Sequence, residues 1–314
     1  MKHILLIDPL EKLAVKKDSS LLFAHSLKEV GNEVFLLFEN NLLFENISQK
    51  NLNVYKFNSS LKENSFYLEE FNLEDQMNVI LNEDVVIHMR LDPPFDSRYL
   101  QYLWLLNTLK SSGAKIINDP NGILLNNEKI LAYELKNSIP TYIGRDEKQF
   151  LEFVEQIQSD HLIFKPVDLY QGIGVEKVSV DANLAKRFND KVKELGSTVV
   201  VQPFIKQVEE GEIRSSFFMG EHMGSILKVP PKGEFLANIA QGAQFYKEEL
   251  DSELLKECTS VCQNLRKQGI EWVAFDILGG KISEVNITCP GLVVEVSEAM
   301  QENIALKMSK MLLD

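Results

Sequence analysis

The segment WVAFDILGGKISEVNIT carries the residues whose types and spacing say most about chemistry: Asp276, Glu284 and Asn286. Two apolar stretches flank Gly279, Gly280 and Lys281. If those three form the loop of a hairpin, Ile282 pairs with Leu278 and Glu284 lies opposite Asp276. Strand alternation then brings Asn286 to the same face. Asp, Glu and Asn on a rigid sheet are hard-oxygen ligands that suit Mg2+, or Mn2+, while leaving room for water and phosphate oxygens. A solvated polar face of an antiparallel sheet would show the same alternation.

Cationic and glycine-bearing segments precede this hairpin. Lys129 stands in NNEKILAYEL, and Lys165 ends the apolar strand LIFKP, which leads into YQGIGV with Gly172 and Gly174. A lysine at a strand end holds phosphate as a point charge, and backbone N–H groups beside glycines approach oxygens unobstructed. Read singly, each is also an ordinary surface lysine or turn. Arg214, in GEIRSSFFMG, lies within a strand pattern and needs an anion partner if buried, whether substrate or structural carboxylate. Arg90 and Asp92, in VVIHMRLDPPFD, fall where an apolar strand gives way to a loop, the edge at which open α/β sheets bind ligands. A rigid double-proline turn with a salt bridge is the plainer account. VPPKGEFLANIAQGAQF has the Pro, Gly and small-residue mixture of a lid, or of a simple loop.

The elements that must position these groups are legible in part. His3 to Asp8 reads as a buried strand, Ser19 to Val30 as a helix closed by Gly31, and Asn32 to Phe38 as a second strand. The pattern recurs in Asp84 to Met89, Ser97 to Ser112 and Lys115 to Asn118, which predicts a doubly wound parallel sheet. DPLEKLAVKK, after the first strand, has no glycine, which disfavours a nicotinamide-binding turn. Further on, helices are predicted over Asn127 to Lys136, Glu147 to Gln158 and Ser252 to Lys267. Strands are predicted over Leu162 to Lys165, Thr198 to Pro203, Glu212 to Met219 and His222 to Lys228, and a hairpin over Trp272 to Asn286.

Composition narrows the partners. The 314 residues allow two domains and a cleft between them, and 45% hydrophobic content is ordinary for globular cores. With 33 basic against 46 acidic residues the net charge is −13, and no basic tract interleaves with aromatics, so nucleic acid is not expected as a partner. Three cysteines, Cys258, Cys262 and Cys289, do not make a disulfide scaffold and suggest a reducing compartment. Cys258 and Cys262 share a helix face and read as structural. The opening MKHILLIDPL is too short an apolar run for a signal peptide, and no stretch approaches about 18 apolar residues. A soluble cytoplasmic protein with no membrane partner is expected.

Taken in order, DPLEKLAVKKDSS, MRLDPPFD, INDPNGILLNNEKI, FKPVD, VVVQPF, GEIR, the lid and FDILGGKISEVNIT resemble bacterial glutathione synthetase, of the ATP-grasp superfamily, through nearly the whole chain. The resemblance implies an α/β and α+β fold. An N-terminal doubly wound parallel-sheet domain, residues 1–120, would bind substrate. An ATP-grasp domain, 121–314, would divide into a central lid subdomain at 121–198 and a C-terminal catalytic subdomain at 199–314.

The resemblance also implies an activity: ATP phosphorylates the cysteinyl carboxylate of γ-glutamylcysteine, and glycine's amine displaces phosphate to form the amide. Lys129, Lys165, Gly172 and Gly174 would meet ATP phosphates, Gln202, Phe204 and Ile205 the adenine, and Glu212 the ribose. Asp276, Glu284 and Asn286 would hold magnesium. Arg214 and Asn238 would serve catalysis, Arg214 by stabilising the transferred phosphoryl group and Asn238 from beside the dipeptide. Lys17, Asp18, Ser19, Arg90, Asp92 and Lys228 would contact substrate. The partners implied are small molecules and further copies of the chain in a homo-oligomer.

Three features depart from the family's pattern. Lys228 and Leu236 stand where the lid has arginines, and LYQGIGV is a sparser glycine run, with Leu169 and Gln171 in it. Val294 replaces an arginine before Glu295, where a small carboxylate would bind. Three readings follow: glutathione synthetase, a sister ATP-grasp ligase with another acid or amine, and a nucleotide-binding protein without ligase turnover. Retention of both lysines, Arg214 and the oxygen triad favours ligase chemistry.

Overall fold

In a computed structural model of the chain, the structure describes residues 1–46, 50–169, 172–234, 236–237, 239 and 242–313. The chain opens with β1 (Lys2–Ile7), α1 (Ser19–Glu29) and β2 (Glu33–Phe38), followed by β3 (Asn51–Leu61), β4 (Leu68–Ile80), β5 (Val85–Arg90), α2 (Ser97–Leu109) and β6 (Lys115–Ile117). These strands form one sheet in the order β4-β3-β2-β1-β5-β6. β1 runs parallel to β2 and β5, and β5 parallel to β6. In β1, Ile4 and Leu6 face one core with Leu103 and Leu106 of α2, while Leu5 and Ile7 face another with Leu21 and Phe23 of α1. Burial of both faces explains why HILLI is an unbroken apolar run.

The β3–β4 hairpin is antiparallel and extends this otherwise parallel sheet. On the α1 face, His3 and His88 are fully buried, with Nδ1 of His3 2.9 Å from Nε2 of His88.

Two linking helices, α3 (Pro120–Leu125) and α4 (Glu128–Tyr133), lead to β7 (Tyr142–Gly144), α5 (Glu147–Ile157), β8 (His161–Lys165), β9 (Glu176–Ser179), α6 (Leu184–Leu195) and β10 (Val199–Pro203). The predicted helix Asn127 to Lys136 thus ends early, at Tyr133. β7, β10, β8 and β9 form a four-stranded antiparallel sheet in that order. Its core is its own: Phe150 stacks on Phe188, ring centroids 4.1 Å apart, and Phe164 meets both edge-on. Val199 to Pro203, expected to open the C-terminal subdomain, pairs into this sheet instead.

β11 (Glu212–Phe218), β12 (Glu221–Val229), β13 (Gln244–Glu248), α7 (Ser252–Arg266), β14 (Trp272–Leu278), β15 (Lys281–Asn286), α8 (Val293–Met300) and α9 (Ile304–Met311) complete the chain. The third sheet is antiparallel, ordered β13-β12-β11-β14-β15. Phe217, Phe275 and Val285 join the core beneath α2, so the first and third sheets share apolar packing. Buried Cys258 and Cys262 of α7 lie in that core, which supports their structural reading, and burial pushes the Cys258 thiol up to about 12.

Asn118, just after β6, ties the two sheets together. Its Nδ2 donates to Trp272 O and Ile287 O, both at 2.7 Å, and its Oδ1 accepts from the Glu271 and Trp272 N–H groups at 2.9 and 2.8 Å. All four bonding positions of a buried amide are used.

Candidate active site

The hairpin of β14 and β15 turns on two residues, Gly279 and Gly280, both with positive φ. Leu278 therefore pairs with Lys281 and Ile277 with Ile282, a correction to the three-residue loop and to the Ile282–Leu278 pair. A register shift between Asp276 and Ile277 inserts Ser283, and the expected Asp276–Glu284 pair is restored. The hydroxyl of Ser283 donates to Asp276 O at 3.1 Å and lies 3.3 Å from Glu212 Oε1. Asn286 falls opposite Ala274 and donates through Nδ2 to Asp276 Oδ2 at 3.0 Å, so the predicted triad converges.

The neighbouring strands bring charge to the triad. Arg214 of β11 is in register with Asp276, and Glu212 is in register with Lys228 of β12. Lys228 Nζ lies 2.8 Å from both Asp276 Oδ1 and Glu212 Oε2, and Arg214 Nη2 lies 3.1 Å from Asp276 Oδ2. Burial would raise the Asp276 carboxyl, but the Arg214 guanidinium and Lys228 ammonium hold it below the usual carboxylate range. Burial raises the Glu212 carboxyl against the pull of Lys228. Lys228, expected at the substrate, thus bridges a predicted metal ligand and the predicted ribose contact.

Lys129, near the start of α4, pairs with Glu284 Oε1 at 3.0 Å and donates to Leu169 O at 2.6 Å. Lys165 ends β8 with Nζ 5.2 Å from the centroid of the Tyr133 ring, and burial lowers its ammonium to about 8. Both lysines line one cavity together with Asp276 and Glu284.

Two cavities adjoin this patch. An apolar one, between the four- and five-stranded sheets, is walled by Ile139, Ile163, Ile205, Val208 and Leu278 together with Gln202 and Phe204. Gln202 donates to Thr141 Oγ1 at 2.8 Å, and Lys177 Nζ sits 3.5 Å from the centroid of the Phe204 ring. Lys129, Lys165 and Glu212 stand at the polar end of this slot. The second cavity is polar and draws Lys17, Asp18, Ser19, Arg90 and Asp92 together from the first sheet's edge. Gly172, Glu212, Leu236, Asp276 and Glu284 line both, so the carboxylates sit where the cavities meet.

In the polar cavity Arg90 is 3% exposed. Its Nε donates to Ser20 Oγ at 3.0 Å, its Nη2 to Pro290 O at 2.7 Å, and its guanidinium lies 3.8 Å from the Trp272 ring centroid. Nη1 has no partner among the described residues. Asp18 caps α1, accepting from Leu21 N at 2.9 Å, and burial raises its carboxyl to about 6. Ser19 Oγ accepts from Val293 N at 3.0 Å, and Asp92 N donates to Asp8 Oδ2 at 2.9 Å.

Gly172 and Gly174 both have positive φ, +79° and +73°. A Cβ on Gly172 would come 3.1 Å from Leu236 Cδ1, so the lid residue that replaces an arginine rests on the glycine loop. Asn238 and Gln171 lie outside the described residues. Val294 is fully buried in the core of α1, α8 and Trp272, and is not a wall of either cavity. Its apolar side chain is therefore explained by packing, and the expectation that it borders a bound carboxylate is not supported.

The site also contains residues that motif reading passed over. Glu128 accepts from Ile287 N, Thr288 N and Thr288 Oγ1 at 2.7, 2.8 and 2.8 Å, fixing the loop after β15. It was hidden beside Lys129 in NNEKI. Cys289 and Glu295 line the polar cavity, and only proximity to the hairpin could have marked them.

Among the described residues, no three His, Cys, Asp or Glu side chains form a metal-binding group. The donor set here is two carboxylates and one amide. Its hard-oxygen chemistry fits a divalent ion, and the cations now held by Asp276 and Glu284 show that the patch attracts positive charge.

Comparison with known proteins agrees with this geometry. Residues 1–123 match the N-terminal domain of prokaryotic glutathione synthetase, and residues 128–301 match its ATP-grasp domain. The glutathione synthetase of Parasynechococcus marenigrum is 33% identical over 222 residues, which is 70% of this chain and 72% of that protein. That of Prochlorococcus marinus is 29% identical over 322 aligned positions, covering 100% of this chain and 99% of its own. The fold is similar to that of the D-cycloserine synthetase DcsG, with a TM-score of 0.68, 15% identity and 99% of each chain covered. It is also similar to the macrocyclase MdnC, with a TM-score of 0.66, 12% identity and 100% and 99% covered. Domain matches along nearly the whole length, together with cavities that meet at paired carboxylates and lysines, show that the chain belongs to the prokaryotic glutathione synthetase family and is an ATP-dependent ligase that forms carbon–nitrogen bonds.

Proposed function

We propose that the chain condenses γ-glutamylcysteine with glycine to give glutathione, ADP and phosphate. The observation that carries this reading is the junction of an apolar slot and a polar cavity at Asp276 and Glu284, within reach of Lys129, Lys228 and Arg214. Gln202, Phe204 and Ile205 hold the adenine and Glu212 the ribose. Lys129, Lys165 and the backbone at Gly172 and Gly174 neutralise and orient the phosphates. Arg90, Lys17, Asp18, Ser19 and Asp92 orient the dipeptide so that its cysteinyl carboxylate lies in line with the γ-phosphate.

A divalent ion, which we take to be Mg2+, would be held by Asp276, Glu284 and Asn286 and would neutralise phosphate charge. Arg214 would stabilise the transferred phosphoryl group and then the acyl phosphate, and Asn238, which lies outside the described residues, would serve the same step. Lys228, paired with Asp276 and Glu212 in the free protein, would also contact substrate. No enzyme nucleophile is needed, because the amine attacks the acyl phosphate directly.

The rest of the reading is a cytoplasmic homo-oligomer with a substrate domain at 1–120. Three unpaired cysteines support the reducing compartment, and exposed Trp104 and Leu125 support a contact between copies. One observation favours a sister ligase with a less polar amine: Leu236 brings an apolar wall to the junction of the cavities. The test is magnesium- and ATP-dependent ADP release with γ-glutamylcysteine, with and without glycine, with mass detection of product. Glutathione formed in step with ADP supports the proposal; ADP release only with another acid or amine supports the sister ligase.

A further inference from the structure

Glu295 lies in the first turn of α8 and in the wall of the polar cavity, yet it is 2% exposed. Its Oε2 has no hydrogen-bond partner, and no cation lies within ion-pair distance of it among the described residues. A carboxylate oxygen removed from water without a partner is costly, so such a group is either kept neutral or awaits a cation. Burial does raise the Glu295 carboxyl, but Lys17 and Arg214 both favour its charged form and Asp18 opposes it.

An acidic residue in the first turn of a helix is favoured by the helix dipole, and that is the plain structural account of Glu295. It does not explain the orphaned oxygen. Nor does it explain the care with which this turn is set. Leu292, just before the helix, holds a left-handed conformation with φ 70°, and Val293 N is anchored on Ser19 Oγ at 3.0 Å. Strain of this kind in a non-glycine residue persists where neighbours over-determine it, as at ligand clamps. The cavity offers the complementary orphan as well, the Nη1 of Arg90, so among the described residues its wall presents one unpartnered carboxylate oxygen and one unpartnered guanidinium nitrogen.

Resting on the ligase reading above, we propose that Glu295 binds a primary ammonium group of an amino-acid substrate and sets specificity for it. Two substrates carry such a group: the γ-glutamyl donor on its α-carbon and the amine acceptor. The contact is a charge-assisted hydrogen bond in a water-poor wall, which glutamine cannot reproduce although it matches the shape.

The experiment compares wild-type protein with Glu295→Gln. Wild-type formation of glutathione is measured first, and its failure counts against the glutathione reading alone; binding of γ-glutamylcysteine and of glycine to both proteins would then be compared by calorimetry. In turnover, Glu295→Gln is expected to raise KM for one amino substrate by ~10-fold or more while KM for the other and for ATP stays within about two-fold. A shift confined to γ-glutamylcysteine assigns the α-ammonium of the donor, and one confined to glycine assigns the acceptor. The ligand-free variant should melt no lower than wild type, since a buried carboxyl with an unpartnered oxygen has been removed. Unchanged KM values, an equal shift for all substrates, unchanged calorimetric affinities, or a lower melting temperature would overturn the proposal.

Discussion

Arg214 and Asp276 face each other in register across β11 and β14, with guanidinium nitrogen and carboxylate oxygen 3.1 Å apart. Lys228 closes on the other oxygen, so a 4%-exposed carboxylate is neutralised twice before any ligand arrives.

Asp276→Asn should therefore abolish turnover and also cost stability. It leaves buried Lys228 and half-buried Arg214 as neighbouring cations with one counter-charge fewer, a loss on the order of 3 kcal/mol. Urea denaturation of the ligand-free protein checks the second effect separately from the assay. Wild-type turnover in the variant would remove Asp276 from the reaction.

Lys165 gives a pH dependence with a definite sign. Its ammonium is lowered to about 8 by burial in the free protein. Phosphate beside it favours the charged form, so nucleotide binding takes up a proton above that pH. The Kd for ATP should rise as pH goes from 7.5 to 9.5, and Lys165→Met should flatten that slope while weakening binding at pH 7.5. Calorimetry in buffers of differing ionisation enthalpy would detect the proton uptake directly.

Gly172→Ala tests the contact between the glycine loop and the lid. Positive φ and a Cβ 3.1 Å from Leu236 both oppose the change. We expect about 1 kcal/mol of lost stability and a raised KM for ATP. Combining it with Leu236→Ala should relieve the crowding and recover part of the KM effect but none of the backbone strain.

His3 and His88 predict acid sensitivity away from the site. Burial lowers His3 to about 4 and His88 in the same direction, aided by the amino terminus for His3 and by Arg90 and Lys115 for His88. The unfolded chain takes up protons near pH 6.5 and the folded one does not. Their contribution is therefore present above that pH and lost as pH falls toward 4, roughly 3 kcal/mol for His3. Melting temperature against pH checks this, and the double variant His3→Leu/His88→Leu should remove most of the slope between pH 6.5 and 5.

Much of the site was legible because its residues sit on regular strands. Alternation alone brought Asn286 beside Asp276, and LIFKP placed Lys165 at a strand end. The Asp276–Glu284 pair was reached from a three-residue loop, because the inserted Ser283 offsets the tighter turn that actually forms. Val294 shows the limit of position-by-position carry-over: adjacency to Glu295 says nothing about which way a helical side chain points. The β3–β4 hairpin was not read, since a bulge between Tyr55 and Phe57 breaks the alternation and β4 is mostly exposed and polar. Helix α6 was not read either, although Leu184, Phe188 and Val192 stand four apart on one face. The clasp at Asn118 has no local signature, because its partners lie more than 150 residues away.

The four-stranded sheet keeps Phe150, Phe164 and Phe188 to itself, apart from the apolar packing shared by the other two sheets. The molecule is thus a fixed anvil and a separately solid jaw. A movement of the jaw would exchange polar links, such as Lys129 to Leu169 O, without tearing either interior. What joins the two includes polar links that water could replace, Asn127 Nδ2 to Val167 O, Phe95 N to Asp168 O and Lys129 Nζ to Leu169 O.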